Sequence, residues 1–193
     1  MLYIVLISII ALIIYAVVKW WNNIEEPVEG WGGDPIHNLM AKAKEGNAEA
    51  CFELARAFYD EEYKKWKYNG HRQINHETAF KFCMKAAELG HADAMFYLSL
   101  FSNPDNGGFI SIKEAISWVE KAAENGSIPG LITLGQEYEQ GLRGRIKDLN
   151  KAKEYYHKAI EAYQKQGDSG EWSARAAEEG LQRISVEETL STM

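Results

Sequence analysis

The stretches KAAELGHADA (residues 85–94) and KAAENGSIPG (residues 121–130) are nearly the same, and Lys121 follows Lys85 by 36 positions. A fixed period of this size indicates stacked supersecondary units, because one helix pair cannot bury its apolar face without a neighbouring copy. A third copy follows at an offset of 37, which carries Trp118 to Tyr155. The sequence therefore predicts an array of helical repeats.

Each copy ends with a glycine that is followed by a polar residue. These pairs are Gly46-Asn47, Gly90-His91, Gly126-Ser127 and Gly167-Asp168. A glycine after a charged helical run is typical of a helix C-terminus, and a polar residue directly after it is typical of the N-cap of the next helix. We therefore interpret each repeated stretch as a helix end, a tight turn and a helix start.

Apolar residues between these turns recur three and four positions apart, as in Cys51, Leu54 and Phe58, and no strand pattern competes. We predict an all-α fold, a solenoid of antiparallel helix pairs. The predicted helices cover residues 37–62 with a break at Gly46, 76–89, 91–102, 111–125, 128–140, 148–166 and 170–184.

The chain begins with an apolar run. Residues 2–18, LYIVLISIIALIIYAVV, contain no charge and would span about 25 Å as a helix. Lys19, Trp20 and Trp21 follow as an interfacial anchor. We predict a single transmembrane anchor over residues 1–21; the alternative, a cleaved signal peptide, lacks a basic leading region and a small-x-small cleavage site.

The remaining sequence divides into three predicted parts: a flexible tether (22–36), a repeat domain (37–184) and a disordered tail (185–193). The few cations near the apolar run hardly distinguish the two orientations. We place the protein in a bacterial inner membrane as a single-pass protein, with its body in the periplasm rather than the cytoplasm.

The charge of the chain narrows the classes of possible binding partner. The formal net charge is −7, from 28 acidic and 21 basic residues, which argues against nucleic acid and favours a basic protein partner.

Cys51 and Cys83 lie on apolar helical faces of one helix pair. A disulfide between them is geometrically compatible with a periplasmic body, but two buried thiols are the favoured interpretation.

The stretch from Leu134 to Ala159 carries a specific motif. Its positions are Leu134, Gly135, Tyr138, Gly141, Gly144, Asp148, Lys151, Ala152, Tyr155, Tyr156, Lys158 and Ala159. This pattern resembles the Sel-one-like repeat, a relative of the tetratricopeptide repeat, and the resemblance covers about residues 38–184, or three and a half repeats. It implies a scaffold that binds other proteins along a concave surface.

No motif for catalysis, a cofactor or a metal is present. The five histidines form no i, i+4 pair with a carboxylate partner, and the sequence has no phosphate loop, dinucleotide fingerprint or nucleophile elbow. We therefore predict a protein that is not an enzyme and that needs no cofactor.

Two surfaces are candidates for partner binding. The first repeat is 44 residues long against 36 in the second, and its extra residues fall in the turn over residues 63–75. Insertions in repeat arrays map to loops that often bind, and Trp, Tyr and Arg are enriched at binding hot spots. The candidates in this turn are Tyr63, Lys65, Trp66, Lys67, Tyr68 and Arg72. The alternative is that Trp66 packs back on the repeats.

The second candidate surface is the first helix of each pair, which lines the concave side in the family that the chain resembles. Its residues are Arg56, Tyr59, Tyr97, Phe101 and Glu137.

These features lead to one leading functional hypothesis: a membrane-anchored protein-binding module. The resemblance implies its most specific version, an immunity protein that neutralises a type VI secretion toxin such as a phospholipase. The alternative is a constitutive envelope scaffold or adaptor for a membrane protein complex.

Overall fold

The computed structural model describes residues 35–60, 63, 74–166 and 171–191. These residues contain eight α-helices, one short 3₁₀ helix and no strand. The helices are α1 (Pro35–Lys44), α2 (Ala48–Tyr59), α3 (His76–Glu88), α4 (Ala92–Leu100), α5 (Ile112–Glu124), α6 (Ile128–Gln140), α7 (Leu149–Gln166) and α8 (Glu171–Ser191), with the 3₁₀ helix at Pro104–Asn106.

The chain divides into two compact units, Met1–His37 and Asn38–Met193. In the second unit α2 pairs with α3, α4 with α5 and α6 with α7, and α8 packs on both α7 and α6. We call the first member of each pair the A helix and the second the B helix; α8 takes the place of a further A helix. The predicted all-α solenoid of helix pairs is confirmed.

The predicted turns form as expected at three of the four glycines. Gly46, Gly90 and Gly126 have φ values of 85°, 89° and 82°, which is the left-handed region that favours glycine at a helix end. The next residue caps the following helix in each case: Asn47 Oδ1 accepts from the amide of Ala50 at 2.9 Å. The fourth turn, at residues 167–168, lies outside the described residues.

The cap residues also connect neighbouring repeats. His91 accepts from the amide of Ala94 at Nδ1, and its Nε2 lies 3.0 Å from Glu49 on α2. Ser127 accepts from the amide of Gly130 and donates to Asp93 on α4 at 2.6 Å. Each of these two side chains therefore caps its own helix and also fixes the position of the preceding A helix.

Small residues between the helices allow close packing. Ala86, Ala122 and Ala159 are fully buried, as the repeat pattern predicts for positions where helices approach. The largest fully buried side chain is Tyr156 on α7. A Cβ on Gly135 of α6 would lie 2.6 Å from its ring and one on Gly180 of α8 would lie 2.4 Å from it, so both glycines are required by the space that the ring fills.

The last helix differs from the prediction. We expected the repeat domain to end at residue 184, with a disordered tail after it, whereas α8 continues to Ser191. Two ion pairs hold this extension of α8 against earlier parts of the chain. Lys147, in the turn before α7, pairs with Glu187 at 2.5 Å, and Lys153, in α7, pairs with Glu188 at 2.6 Å.

The predicted anchor and tether fall almost entirely in residues 1–34, which lie outside the described residues. Across the part of the chain that is described, no helix combines the length and apolarity needed to cross a membrane. Cys51 and Cys83 are buried free thiols. Their sulfurs lie against two different carbonyl groups, those of Ala43 and Ala94, and burial raises the pKa of each thiol.

Candidate protein-interaction surface

Helices α2 and α4 share a surface rich in aromatic rings. Tyr97 packs edge-on against Phe52 at 5.1 Å and against Tyr59 at 5.8 Å between ring centroids. Arg56 and Phe96 lie beside these rings, and Phe52 beneath them is buried. We call the half-buried side chains Arg56, Tyr59, Phe96 and Tyr97 the aromatic face.

Arg56 is the cation of this face. Its guanidinium carbon lies 3.8 Å from the centroid of the Tyr63 ring and 5.8 Å from that of Phe52, both within cation–π range. Its Nε is buried and has no hydrogen-bond partner. A buried donor without an acceptor costs about 1–3 kcal/mol, so this atom slightly destabilises the free protein.

The tyrosine hydroxyls of the face are neutral at physiological pH. Burial raises the pKa of Tyr97, and the nearby charge of Arg56 only partly opposes it. Burial also raises the pKa of Tyr59, helped by the neighbouring Tyr97 and Asp60. Both hydroxyls therefore keep their protons and can donate as well as accept hydrogen bonds.

Acidic side chains surround the aromatic face. Glu49 is exposed, and Asp60 and Asp93 are half-buried on the same two A helices or directly after them. These three acids outnumber Arg56, the cation of the face, so the region is acidic on balance. The arrangement favours a partner segment that carries basic and apolar side chains.

Three of the predicted contact residues have buried side chains. Phe101, Glu137 and Tyr63 are 1%, 3% and 8% exposed. Phe101 packs between Tyr59, at 5.4 Å, and Phe80, at 5.3 Å, and Tyr63 donates a hydrogen bond to Glu53. This corrects the prediction for these three side chains.

Glu137 belongs to an internal ion-pair network. It accepts from Arg145 Nε at 2.7 Å and from Arg143 at 3.1 Å, and Arg145 also bonds Glu120 at 2.8 Å. The turn after α6 brings both arginines back onto the helix because Arg143 adopts a left-handed conformation, with φ of 51°. The network therefore fixes the turn between α6 and α7.

The predicted loop residues Lys65, Trp66, Lys67, Tyr68 and Arg72 lie outside the described residues. Their role stays a prediction. The other predicted contact residues, Arg56, Tyr59 and Tyr97, are brought together on the aromatic face.

Three residues that support this face were not predicted from the sequence: Asn106, Phe80 and Phe109. Asn106 donates to the Tyr59 hydroxyl at 2.8 Å, which ties the turn after α4 to the first repeat. Phe109 from the same turn stacks on Phe80 of α3 at 5.1 Å. The sequence signal that could have indicated Phe109 is its position as an aromatic residue directly after the Asn-Gly-Gly turn at residues 106–108.

The aromatic face lies within the described residues. In that part of the chain, no three His, Cys, Asp or Glu side chains come together in a way that could hold a metal ion. What the surface presents instead is aromatic area, hydroxyl groups and one cation.

Repeated helix pairs with an aromatic surface on adjacent A helices define a helical-repeat protein of the kind that mediates protein interactions. The Sel1 repeat model matches residues 48–91, 92–127 and 131–163, which is more than half of the chain. The chain therefore belongs to the Sel1 repeat family. Proteins of this family are typically non-catalytic scaffolds, and Sel1 repeats imply protein partners.

Solved structures show the same fold at low sequence identity. A Sel1 repeat protein from Oxalobacter formigenes is 24% identical, with a TM-score of 0.52 over 74% of this chain and 98% of that one. A protective antigen of uropathogenic Escherichia coli with an SLR fold is 21% identical, with a TM-score of 0.51 over 79% of this chain and 33% of that one.

A third structure, an immunity protein from Pseudomonas aeruginosa, is 14% identical and covers 78% of this chain and 71% of that one. Its TM-score of 0.35 is too low to carry an argument about function. A comparison with curated protein sequences found no match.

Proposed function

We propose that this protein is a membrane-anchored binding module that captures one protein partner, and that its most specific role is that of an immunity protein against a secreted bacterial toxin. The observation that carries the binding role is the aromatic face, whose half-buried side chains lie together on adjacent A helices. The membrane anchor rests on the uncharged run over residues 2–18, and the periplasmic side is part of the same proposal.

The charge of the chain supports a basic partner. A toxin that attacks an anionic membrane surface needs basic side chains to approach it, and a chain with a formal net charge of −7 complements such a surface. The acids around the aromatic face place part of this charge beside the rings. A toxin of the phospholipase class fits this description.

The first test is affinity capture of the crosslinked full-length protein from its native membrane. We expect one soluble basic protein to be recovered with the natural sequence and lost with Arg56→Glu or Tyr97→Ala. Lys81→Glu, an exposed position on α3, is the matched control and should retain the partner. Equal recovery of membrane-complex subunits with all versions would favour the scaffold alternative instead.

The immunity role has its own test. A deletion strain should lose viability when it grows beside siblings that deliver the toxin, and the natural gene should restore it. Normal growth of the deletion strain under that attack would contradict the immunity role while leaving partner binding intact.

A further inference from the structure

The two A helices of the aromatic face run in the same direction. At one end of the face, His91, directly before α4, has its Nε2 3.0 Å from Glu49 at the start of α2. At the other end, the ring of Phe101, directly after α4, lies 5.4 Å from that of Tyr59, the last residue of α2. The starts of the two helices therefore lie side by side, and so do their ends.

Carboxylates lie at both ends of the aromatic face. Glu49 and Asp93 belong to the first turns of α2 and α4. Asp60 directly follows α2 at the opposite end. Glu49 and Asp60 are eleven positions apart, which corresponds to about 16 Å along the helix axis. The face therefore has two carboxylates at one end and one at the other, with aromatic rings between them.

The rings and the carboxylates belong to one continuous surface. Tyr97 lies in the middle, and its ring packs on those of Tyr59 at 5.8 Å and Phe96 at 6.2 Å. Burial raises the pKa of Tyr97, and the negative charges of Asp60 and Asp93 add to this effect, so both carboxylates lie near its hydroxyl group.

No described lysine or arginine forms an ion pair with Glu49, Asp60 or Asp93. Asp93 accepts a hydrogen bond from the hydroxyl group of Ser127 at 2.6 Å. Asp60 accepts one from the backbone amide of Tyr63 at 3.0 Å. Both donors are uncharged, so these bonds hold the two carboxylates in place without neutralising them.

The hydroxyl group of Tyr59 favours an extended partner segment. It accepts a hydrogen bond from Asn106 at 2.8 Å, so its own proton remains available to an acceptor on a partner. An extended chain exposes its backbone carbonyl groups, whereas a helix uses them for its own hydrogen bonds. A distance of about 16 Å corresponds to about five steps of an extended chain, at about 3.3 Å per step.

We propose that the aromatic face holds an extended segment of the protein partner that has an apolar centre and a basic side chain at each end, about five positions apart. This inference rests on the proposed binding function and adds the recognition element of the partner. The apolar side chains of the segment cover the half-buried rings. One basic side chain pairs with Asp60, and the other pairs with Glu49 or Asp93, so the positions of the charges select the segment.

Two labelled synthetic peptides of the same composition and charge test the arrangement. KLFVLK has a lysine at each end, five positions apart, and KKLFVL has both lysines at one end. Fluorescence anisotropy measures their binding to the full-length chain in non-ionic detergent, with detergent alone as the blank. We expect KKLFVL to place its lysines at the end that has two carboxylates, and only KLFVLK to reach Asp60.

Asp60→Asn is the decisive variant, because it keeps an acceptor for the amide of Tyr63 and removes only the charge. It should weaken KLFVLK about 2- to 5-fold, the range of a partly exposed ion pair, and leave KKLFVL unchanged. Glu77→Gln, which removes a negative charge on α3, is the matched control and should change neither affinity. An equal loss for both peptides, or no loss for either, would overturn the proposal.

Affinity capture distinguishes a failure of this inference from a failure of the binding function. If capture recovers a partner that Tyr97→Ala loses, but the peptides do not behave as expected, the proposed recognition element is wrong and the binding function stands. If capture recovers no partner with any version, the binding function itself is contradicted.

Discussion

Tyr156 in the third repeat and Tyr97 in the second illustrate two different uses of an aromatic ring. Tyr156 is fully buried between Gly135 and Gly180, and its hydroxyl donates to Glu139 at 2.5 Å. Tyr97 is half-buried on the aromatic face beside Arg56, whose Nε has no partner. A ring that is fully buried and hydrogen-bonded stabilises the fold, whereas a ring that is partly exposed is also available to another molecule.

The largest expected effect comes from removing the Tyr156 ring, and removing the Tyr97 ring is the comparison. Tyr156→Ala should lower the free energy of unfolding by about 3–5 kcal/mol, because it leaves a cavity between two glycines that cannot fill it. Tyr97→Ala should cost about 1–2 kcal/mol, because part of its ring already contacts water. Urea unfolding of both variants measures the difference. Equal losses would contradict the distinction between the two regions.

Adding a methyl group beside the buried ring should have the next largest effect. Gly180→Ala brings a Cβ to 2.4 Å from Tyr156, so the ring or the helix must move, at a cost of about 1–3 kcal/mol. Ser185→Ala, at an exposed position of the same helix, should change stability by less than about 0.5 kcal/mol. Thermal unfolding of the pair gives the comparison, and a tolerated Gly180→Ala would show that α8 is not pressed against this ring.

The buried carboxylate of the third repeat should make stability depend on pH. Burial alone would raise the pKa of Glu139, but hydrogen bonds from Arg183 and Tyr156 hold it below its ordinary value of 4.5. A lowered folded-state pKa means that this contribution is fully present above about pH 4.5 and is lost as the pH falls through the folded-state pKa.

Arg183→Met tests this contribution. It should cost about 1–3 kcal/mol at pH 7, with the loss shrinking below pH 4.5 as the carboxyl group takes up a proton. Lys81→Met, which breaks the exposed pair with Glu77 in the first repeat, should cost less than about 0.5 kcal/mol. Urea unfolding at several pH values measures both, and a loss for Arg183→Met that does not change with pH would contradict the role of this ion pair.

The last comparison concerns the helix caps, where the expected costs are about 1–2 kcal/mol. Asn47→Ala removes one hydrogen bond at the start of α2 and should cost about 1 kcal/mol. Ser127→Ala removes the cap of α6 and also the bond to Asp93, so it should cost about 2 kcal/mol. If the two substitutions cost the same, the bond between the repeats would contribute nothing measurable.

Local signals in the sequence predicted most of the fold. The glycine and N-cap pairs at Gly46, Gly90 and Gly126 marked three helix boundaries, because a left-handed glycine and a side-chain cap depend only on neighbouring residues. The break at Gly46 and the separation of α1 from α2 follow from the same rule. The repeat offset predicted the pairing of the helices.

Contacts between distant residues were beyond local patterns. Glu137 was predicted as a contact residue, but the left-handed turn at Arg143 folds two arginines over it. The length of α8 depends on Lys147 and Lys153, which lie more than thirty positions before their partners. On the aromatic face, the sequence indicated Arg56, Tyr59 and Tyr97 but not Asn106, whose bond to Tyr59 spans 47 positions.

The bonds of His91 to Glu49 and of Ser127 to Asp93 couple the unfolding of neighbouring repeats. If one repeat opens, the next loses a partner of the residue that caps its first helix, so opening a single repeat costs more than its own contacts. When the stability of a repeat array is written as a sum over repeats and over the interfaces between them, these bonds add to the interface energy and not to the intrinsic stability of each repeat. The array should therefore unfold in one cooperative transition, with partly opened forms confined to its ends.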